Sequence, residues 1–377
     1  CHARQAEWFG PYLWFEPEEL ESVRTEIRTA KAAGLQVALK MHLALDNYWK
    51  ENAFLWHGMT TPLTQEEIVL WFDNYLNYVK VYAQLAEEEA VDFLVLASEL
   101  NALMATLPVA DWPLLIGYYL DTFKQQFARS QFRHFAEELV RQDAIPGLEA
   151  YGEPMAYYDA QQQAHEHWAQ AQTAAGLEGL NARRALLDQE WRHLIEETRS
   201  YYSGKLGIAA NFDNYFEVGF WEVLDFMGIN AYFPLRERLT YPASPKELRQ
   251  GWEGVFDEIH DFKKAQGLEA LPVIFTELGF TSRRYSSLAP WNSFGYAFLD
   301  QKVVVWEQQP RDYQERALAI RALYETHCRR PELRLQGLFY WKFSTHYYHI
   351  PFEPFAICID PASLDPAIPA LLQFVGH

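Results

Sequence analysis

The sequence predicts an α/β protein built as a (β/α)8 TIM barrel that is incomplete at its N-terminus, and three observations carry that expectation. Short, nearly continuous apolar runs alternate with longer amphipathic stretches, the pattern of parallel strands buried on both faces and connected by helices. An open doubly wound sheet would carry a Gly-rich phosphate turn after its first strand, whereas His42-Leu43-Ala44-Leu45-Asp46 follows the first run here. The chain of 377 residues suits one barrel-sized domain, so residues 1–377 are read as a single domain.

Taken in order, Glu7 to Glu16 (EWFGPYLWFE) reads as a loop leading into a helix over Glu18–Ala33. A strand is expected over Leu35–Met41, a helix over Thr64–Glu89 and a second strand over Asp92–Ala97. Further on, the pattern gives a helix over Trp191–Tyr202, strands over Leu206–Asn211 and Val223–Ala231, and a helix over Leu248–Gln266. A strand over Pro272–Glu277, a helix over Asp312–Arg329 and a strand over Gln336–Phe343 complete it. Gly34, Gly204 and Gly267 stand just past helix ends, where a left-handed cap favours glycine. About six strands are visible where a closed barrel needs eight, and the two missing ones belong at the N-terminus.

One segment breaks the rhythm. Residues 105–189 carry no strand signal and are rich in Gln, Ala and His, so they read as a helical insertion between a strand and its helix. Such an insertion would overhang the C-terminal ends of the strands as a lid or a spacer. Its Trp112, Tyr118, Tyr119, Tyr157 and Trp168 are either sugar platforms or the insertion's own small core, and their helical spacing favours the core.

Composition narrows the partners. With 32 Lys and Arg against 51 Asp and Glu, the net charge of −19 argues against nucleic acid and anionic membranes. No apolar run of about 18 residues is present, so no membrane span is expected. Cys1, Cys328 and Cys358 lack the spacing of a zinc knuckle or a disulfide framework, and neither a metal nor an organic cofactor is expected. Cys1 in first position suggests either a processed lipoprotein or a truncated chain, and the missing strands favour truncation. The 13 Trp, 22 Tyr and 25 Phe offer flat faces that, beside so acidic a charge, suit a neutral oligo- or polysaccharide, although most of them should be core.

Two carboxylates stand out by position. Glu99 follows the strand Asp92–Ala97 and Glu277 ends the strand Pro272–Glu277, so both sit at strand C-terminal ends, where barrel enzymes place their chemistry. The alternative is that each is satisfied by an arginine or by backbone donors. As a pair they fit glycoside cleavage, in which one carboxyl protonates the leaving oxygen and the other meets the anomeric carbon. Other constellations are weaker. His165-Glu166-His167 places its imidazoles on different faces of a helix and reads as a solvated face, and Arg283-Arg284 reads as a surface pair rather than a partner for Glu277.

Ser98-Glu99-Leu100, the segment Trp191–Leu235, PVIFTELGF at 272–280, GLFYWKF at 337–343 and LKMH at 39–42 together resemble glycoside hydrolase family 113, endo-β-mannanases of the retaining clan A. The resemblance spans roughly 35–103 and 190–345. It implies that the visible strands are strands three to eight, that the insertion follows strand four, and that Glu99 is the general acid/base and Glu277 the nucleophile. Trp341 then matches the aromatic floor of the subsite where the bond breaks, Tyr232 matches a phenol that hydrogen-bonds the nucleophile, and His42 and Asn211 join the same ring of strand ends. The implied activity is retaining hydrolysis of β-mannosidic or related β-linked saccharides by double displacement. Two positions depart from the pattern: Ser98 stands where many clan members carry Asn, and Met41 stands where the family has Pro. A non-catalytic saccharide-binding barrel, its carboxylates only hydrogen-bonding sugar hydroxyls, is the second reading.

Overall fold

A computed structural model describes residues 17–43, 45, 54–141, 145, 147–292, 297–299, 303–305, 309–360 and 362–375; the expected loop over Glu7–Glu16 and the reading of Cys1 lie outside them. In chain order the elements that position the site are α1 (Pro17–Ala32), β1 (Ala38–Lys40), α2 (Gln65–Glu88), β2 (Phe93–Ser98), α3 (Asn101–Met104), α4 (Leu114–Leu120), α5 (Thr122–Arg141) and α6 (Pro154–Thr173). They continue with α7 (Gly176–Arg199), β3 (Lys205–Asn211), β4 (Met227–Asn230), α8 (Pro245–Ala265), β5 (Val273–Leu278), β6 (Ala297–Leu299), β7 (Val303–Val305), α9 (Tyr313–Arg329) and β8 (Leu335–Tyr340). All six strands read from the sequence are present. The chain divides into two compact units, Cys1–Leu120 with Ala164–Ile229, and Asp121–Gln163 with Asn230–His377.

In the first unit β1 pairs parallel with β2 and β2 with β3. Thr64 and Glu67 form a reciprocal capping box that starts α2. The core is aromatic: Trp71 stacks on Tyr75 at 4.7 Å, Trp191 of α7 stacks on Phe220 at 5.3 Å, and Phe72 meets Trp191 edge-on. Three rings are tied to backbone by their polar atoms: Tyr75 Oη donates to Leu96 O, Trp191 Nε1 to Leu103 O and, just past the end of α7, Tyr202 Oη to Val91 O.

Two expectations shift here. The helix expected over Trp191–Tyr202 runs from Gly176 to Arg199, because its buried stripe of Leu180, Arg184, Leu187, Trp191 and Leu194 passes through an arginine that an apolar pattern reads as a break. Gly34 and Gly267 take the left-handed conformation at φ +78° and +69° as expected. Gly204 does not; a Cβ there would lie 2.2 Å from Tyr202 Oη, so close approach rather than capping requires glycine.

In the second unit β5 pairs parallel with β8, and α8 and α9 pack together, with Trp252 Nε1 donating to Ala319 O. Phe132 of α5 stacks on Tyr158 of α6 at 4.6 Å within a separate small cluster. Among the described residues no helix is long and apolar enough to cross a membrane.

The loops after β4 and β5 are fastened by one buried ion pair. Arg236 Nη2 donates to Glu315 Oε1 at 2.8 Å and its Nε to Ser287 Oγ, while Glu315 also accepts from Ser287 N and Tyr285 N. Both charges are almost fully buried, at 0% and 1% exposure. Removing one partner strands the other, so Arg236→Met or Glu315→Leu should each cost about 3–5 kcal/mol in urea denaturation, whereas the double replacement Arg236→Met/Glu315→Leu should cost less than the sum of the singles.

Candidate active site

The first unit gathers Glu99, His57 and His42. Glu99 directly follows β2, and its backbone N–H donates to Ala209 O of β3 at 2.9 Å, which fixes where the side chain leaves the sheet. It does so at φ +54°, a left-handed conformation that is strained for any residue but glycine. Oε2 lies 3.6 Å from His57 Nε2, and the His57 ring meets His42 edge-on with centroids 4.5 Å apart. His42 follows β1, which is anchored by Met41 N donating to Val95 O. Burial against these neighbours, and then the nearby His57 and Lys40 charges, pull the His42 imidazole down to about 4, although part of the residue is open to solvent. Two residues beyond Glu99, Asn101 Nδ2 donates to Asp213 Oδ1 at 3.4 Å. Although Asp213 as a whole is exposed, loss of water around its carboxyl pushes it up to about 6, with the Glu99 charge adding to the effect and the Asn101 hydrogen bond opposing it.

The second unit gathers Glu277, Tyr232 and the backbone of Trp341. Glu277 lies in β5, buried at 6% exposure, and its carbonyl accepts from Ala231 N at 2.6 Å. That bond holds the segment after β4 so that Tyr232 Oη donates to Glu277 Oε2 at 2.5 Å. Trp341 N donates to Leu278 O in turn. Gly279 sits in the angle between them: a Cβ there would come within 2.8 Å of the Tyr232 ring and 2.9 Å of Trp341 O, so this close approach excludes any larger residue. The Trp341 side chain is 41% exposed, with the Lys342 ammonium 5.4 Å from its ring centroid.

Each remaining candidate has partners of its own. Asn211 ends β3, and its Oδ1 accepts from Phe212 N within its own turn. His165 is not solvated: its Nε2 lies 2.7 Å from Phe54 O and its ring packs on Tyr119, whereas Glu166 and His167 are exposed. Among the described residues no group of three His, Cys, Asp or Glu side chains could hold a metal ion. Arg283 donates to Gln309 O and Arg284 lies over the Tyr241 ring. Trp112, Tyr119 and Trp168 share one apolar cluster, Tyr157 packs on another, and Tyr118 meets Tyr119 edge-on. Sequence reading missed His57, which lies in a short loop turn with no apolar period.

The sequence profile of Glycoside Hydrolase Family 113 matches residues 13–126 and 150–351, passing over 127–149, which lie inside the 105–189 segment. No curated protein matches the chain in sequence. Among solved structures, a complex of a GH113 β-1,4-mannanase matches with a TM-score of 0.54 at 17% identity, over 95% of this chain and 79% of that one. The GH113 β-mannanase AaManA from Alicyclobacillus acidocaldarius, in complex with ManMIm, matches with a TM-score of 0.55 at 16% identity, over 94% and 77%. The likeness is one of fold, the (β/α)8 barrel, six of whose eight strands lie among the described residues.

The titrating groups around Glu99 oppose one another. Between about pH 4 and 6.5 the unfolded chain binds more protons at His42, so this site adds stability as pH rises. Between 3.8 and about 6 the folded chain binds more at Asp213, so that site removes stability as pH rises. Thermal midpoints measured from pH 4 to 6.5 should therefore climb more steeply with pH in Asp213→Asn than in the parent, and less steeply in His42→Asn.

Proposed function

The chain belongs to Glycoside Hydrolase Family 113, and from that membership we propose that it hydrolyses β-mannosidic or related β-linked oligo- or polysaccharides with retention of configuration, Glu99 acting as general acid/base and Glu277 as nucleophile. That it is a glycoside hydrolase follows from the family; the linkage, the stereochemistry and the residue roles are our reading. The observation that carries it is the Tyr232–Glu277 hydrogen bond of 2.5 Å at the end of β5. A phenol held there by backbone fixes the rotation of a buried carboxylate, which is what a nucleophile needs to meet the anomeric carbon in line.

In the first step a Glu277 oxygen bonds to C1 as the C1–O bond to the leaving sugar breaks, and Glu99 delivers its proton to the departing oxygen. In the second, Glu99 takes a proton from water, the hydroxide oxygen bonds to C1, and the ester to Glu277 breaks, restoring both groups. Like charge between the two carboxylates would keep the proton on Glu99 until the ester removes the negative charge from Glu277. The left-handed backbone at Glu99 supports the assignment, since strain of that kind collects where a side chain must be aimed. That the similar structures are β-mannanases supports the choice of sugar.

Proton NMR of β-1,4-mannotetraose digestion should show the β-anomer as first product; the α-anomer first would mean inversion. Glu99→Gln should lower kcat by about 10²–10⁴-fold. Glu277→Ala should abolish turnover and regain it with azide, giving the α-glycosyl azide. A complex with a substrate analogue should place the two carboxyl groups about 5–5.5 Å apart.

A further inference from the structure

We propose that His57 is a positioning residue for Glu99, its Nε2–H donating to Glu99 Oε2 so that Oε1 carries the proton meant for the leaving oxygen, and that α6 holds it there. The proposal rests on the acid/base reading of Glu99 above. Nε2 and Oε2 lie 3.6 Å apart on side chains 15% and 18% exposed. Nε2 is buried and makes no hydrogen bond among the described residues. A ring nitrogen buried in this way is costly, and a carboxylate beside it is the acceptor that offsets the cost. Catalytic hydrogen bonds often stand open by such a margin before substrate binds and tighten with it.

His57 opens a short turn, His57–Met59, and its ring sits edge-on to Trp56 at 5.4 Å and to His42 at 4.5 Å. The turn is fastened from α6. Trp168 Nε1 donates to Met59 O at 3.0 Å and to Thr61 Oγ1 at 3.1 Å, and Thr61 Oγ1 donates to Met59 O at 2.7 Å. About one helical turn earlier, His165 Nε2 lies 2.7 Å from Phe54 O, and because a carbonyl only accepts, this nitrogen carries the hydrogen. Packing alone does not hold the turn, since Trp56 and Trp168 stand on the wall of a cavity of about 150 Å³. The helix thus grips the chain on both sides of His57. A mere joint would need no particular side chain at 57, whereas here an imidazole nitrogen is aimed at a carboxylate.

A donor on Oε2 favours the ionised carboxylate, so it helps Glu99 release its proton and steadies it as the base of the second step. The mobile proton passes between Oε1 and the glycosidic oxygen or water, and the hydrogen on Nε2 stays where it is. Other charged groups act on the same site: His42 feels His57, Lys40 and Glu99, and Asp213 feels Glu99 and Glu217. The pH response of Glu99 sums all of these, and the part that changes with residue 57 belongs to the proposal.

The test is the pH profile of kcat and kcat/KM for the whole chain on β-1,4-mannotetraose. His57→Leu should lower kcat about 10- to 100-fold while KM holds. It should also move the basic limb of kcat/KM, where Glu99 loses its proton, up by about one pH unit. His57→Gln, which keeps an N–H donor, should regain most of the loss. Trp168→Phe, which keeps a ring but no N–H, should move the same limb the same way by less. An activated aryl β-mannoside, whose leaving group needs no proton, should lose far less kcat/KM. Equal loss on both substrates, or a basic limb that stays or moves down, overturns the proposal. Without substrate, the ring nitrogen-15 shifts of His57 should report the Nε2–H tautomer and change in Glu99→Gln. If they do not, the contact is absent whatever the chain cleaves, and this readout decides where a variant at 57 or 168 loses its cooperative melt. A response there in a parent that cleaves no β-mannoside would uphold the contact and sink the mannoside reading instead.

Discussion

Two backbone hydrogen bonds between parallel strands set where the proposed chemistry stands. Glu99 N to Ala209 O and Ala231 N to Glu277 O are the last cross-strand links before the chain leaves β2 and enters the segment after β4. In a parallel pair every side chain's position is set by register, so these links decide which face each glutamate meets and at what height. Local adjustment completes the aim: φ +54° turns Glu99 off its strand, and Gly279 allows Tyr232 and Trp341 O to close around the end of β5. Packing below the site then serves to hold register: Tyr75 bonds directly to the carbonyl of Leu96 within β2 and Tyr202 to that of Val91 just before it.

Charge is handled differently at the two levels of the structure. A chain of net charge −19 engages several of its 32 basic residues with its own acidic groups at the surface, as where Arg24 meets Glu88 and Arg192 meets Glu222. Exposed pairs of this kind contribute little. Arg236 with Glu315 is another matter: stripped of water, the pair is weak evidence of stability in itself, but losing either partner would leave a bare charge in the core. The same low dielectric makes the unpartnered atoms of Arg183, Asn101 and Asn214 conspicuous.

β2 to β5 were legible because a parallel strand buried on both faces writes a continuous apolar run; β1 and β8 wrote similar runs but are only partly buried, and all six runs became strands within a few residues. Both glutamates could be found for the same reason, since an acidic residue ending such a run is anomalous. The elements that stayed hidden lacked a period. β6 and β7, three residues each, are too short to alternate, and the start of α7 is masked by the buried Arg184. His57 approaches Glu99 from a loop far along the chain, and nothing local in the sequence encodes that encounter.

The aromatic surplus shows how a composition argument can point the right way through the wrong residues. Trp71, Trp191, Trp221 and Trp252 are fully buried, and Trp168 is core as well as cavity wall. Their abundance reflects helices seated on strands by large rings with a single polar atom to anchor, not sugar binding. The exposed rings are concentrated elsewhere: Trp341, Phe343, Tyr347, Tyr348 and Phe352, at 41% to 84% exposure, all follow β8 within a dozen residues. Flat faces that cost solvation where they stand are better evidence for a saccharide surface than any total, because burial explains the others without a ligand.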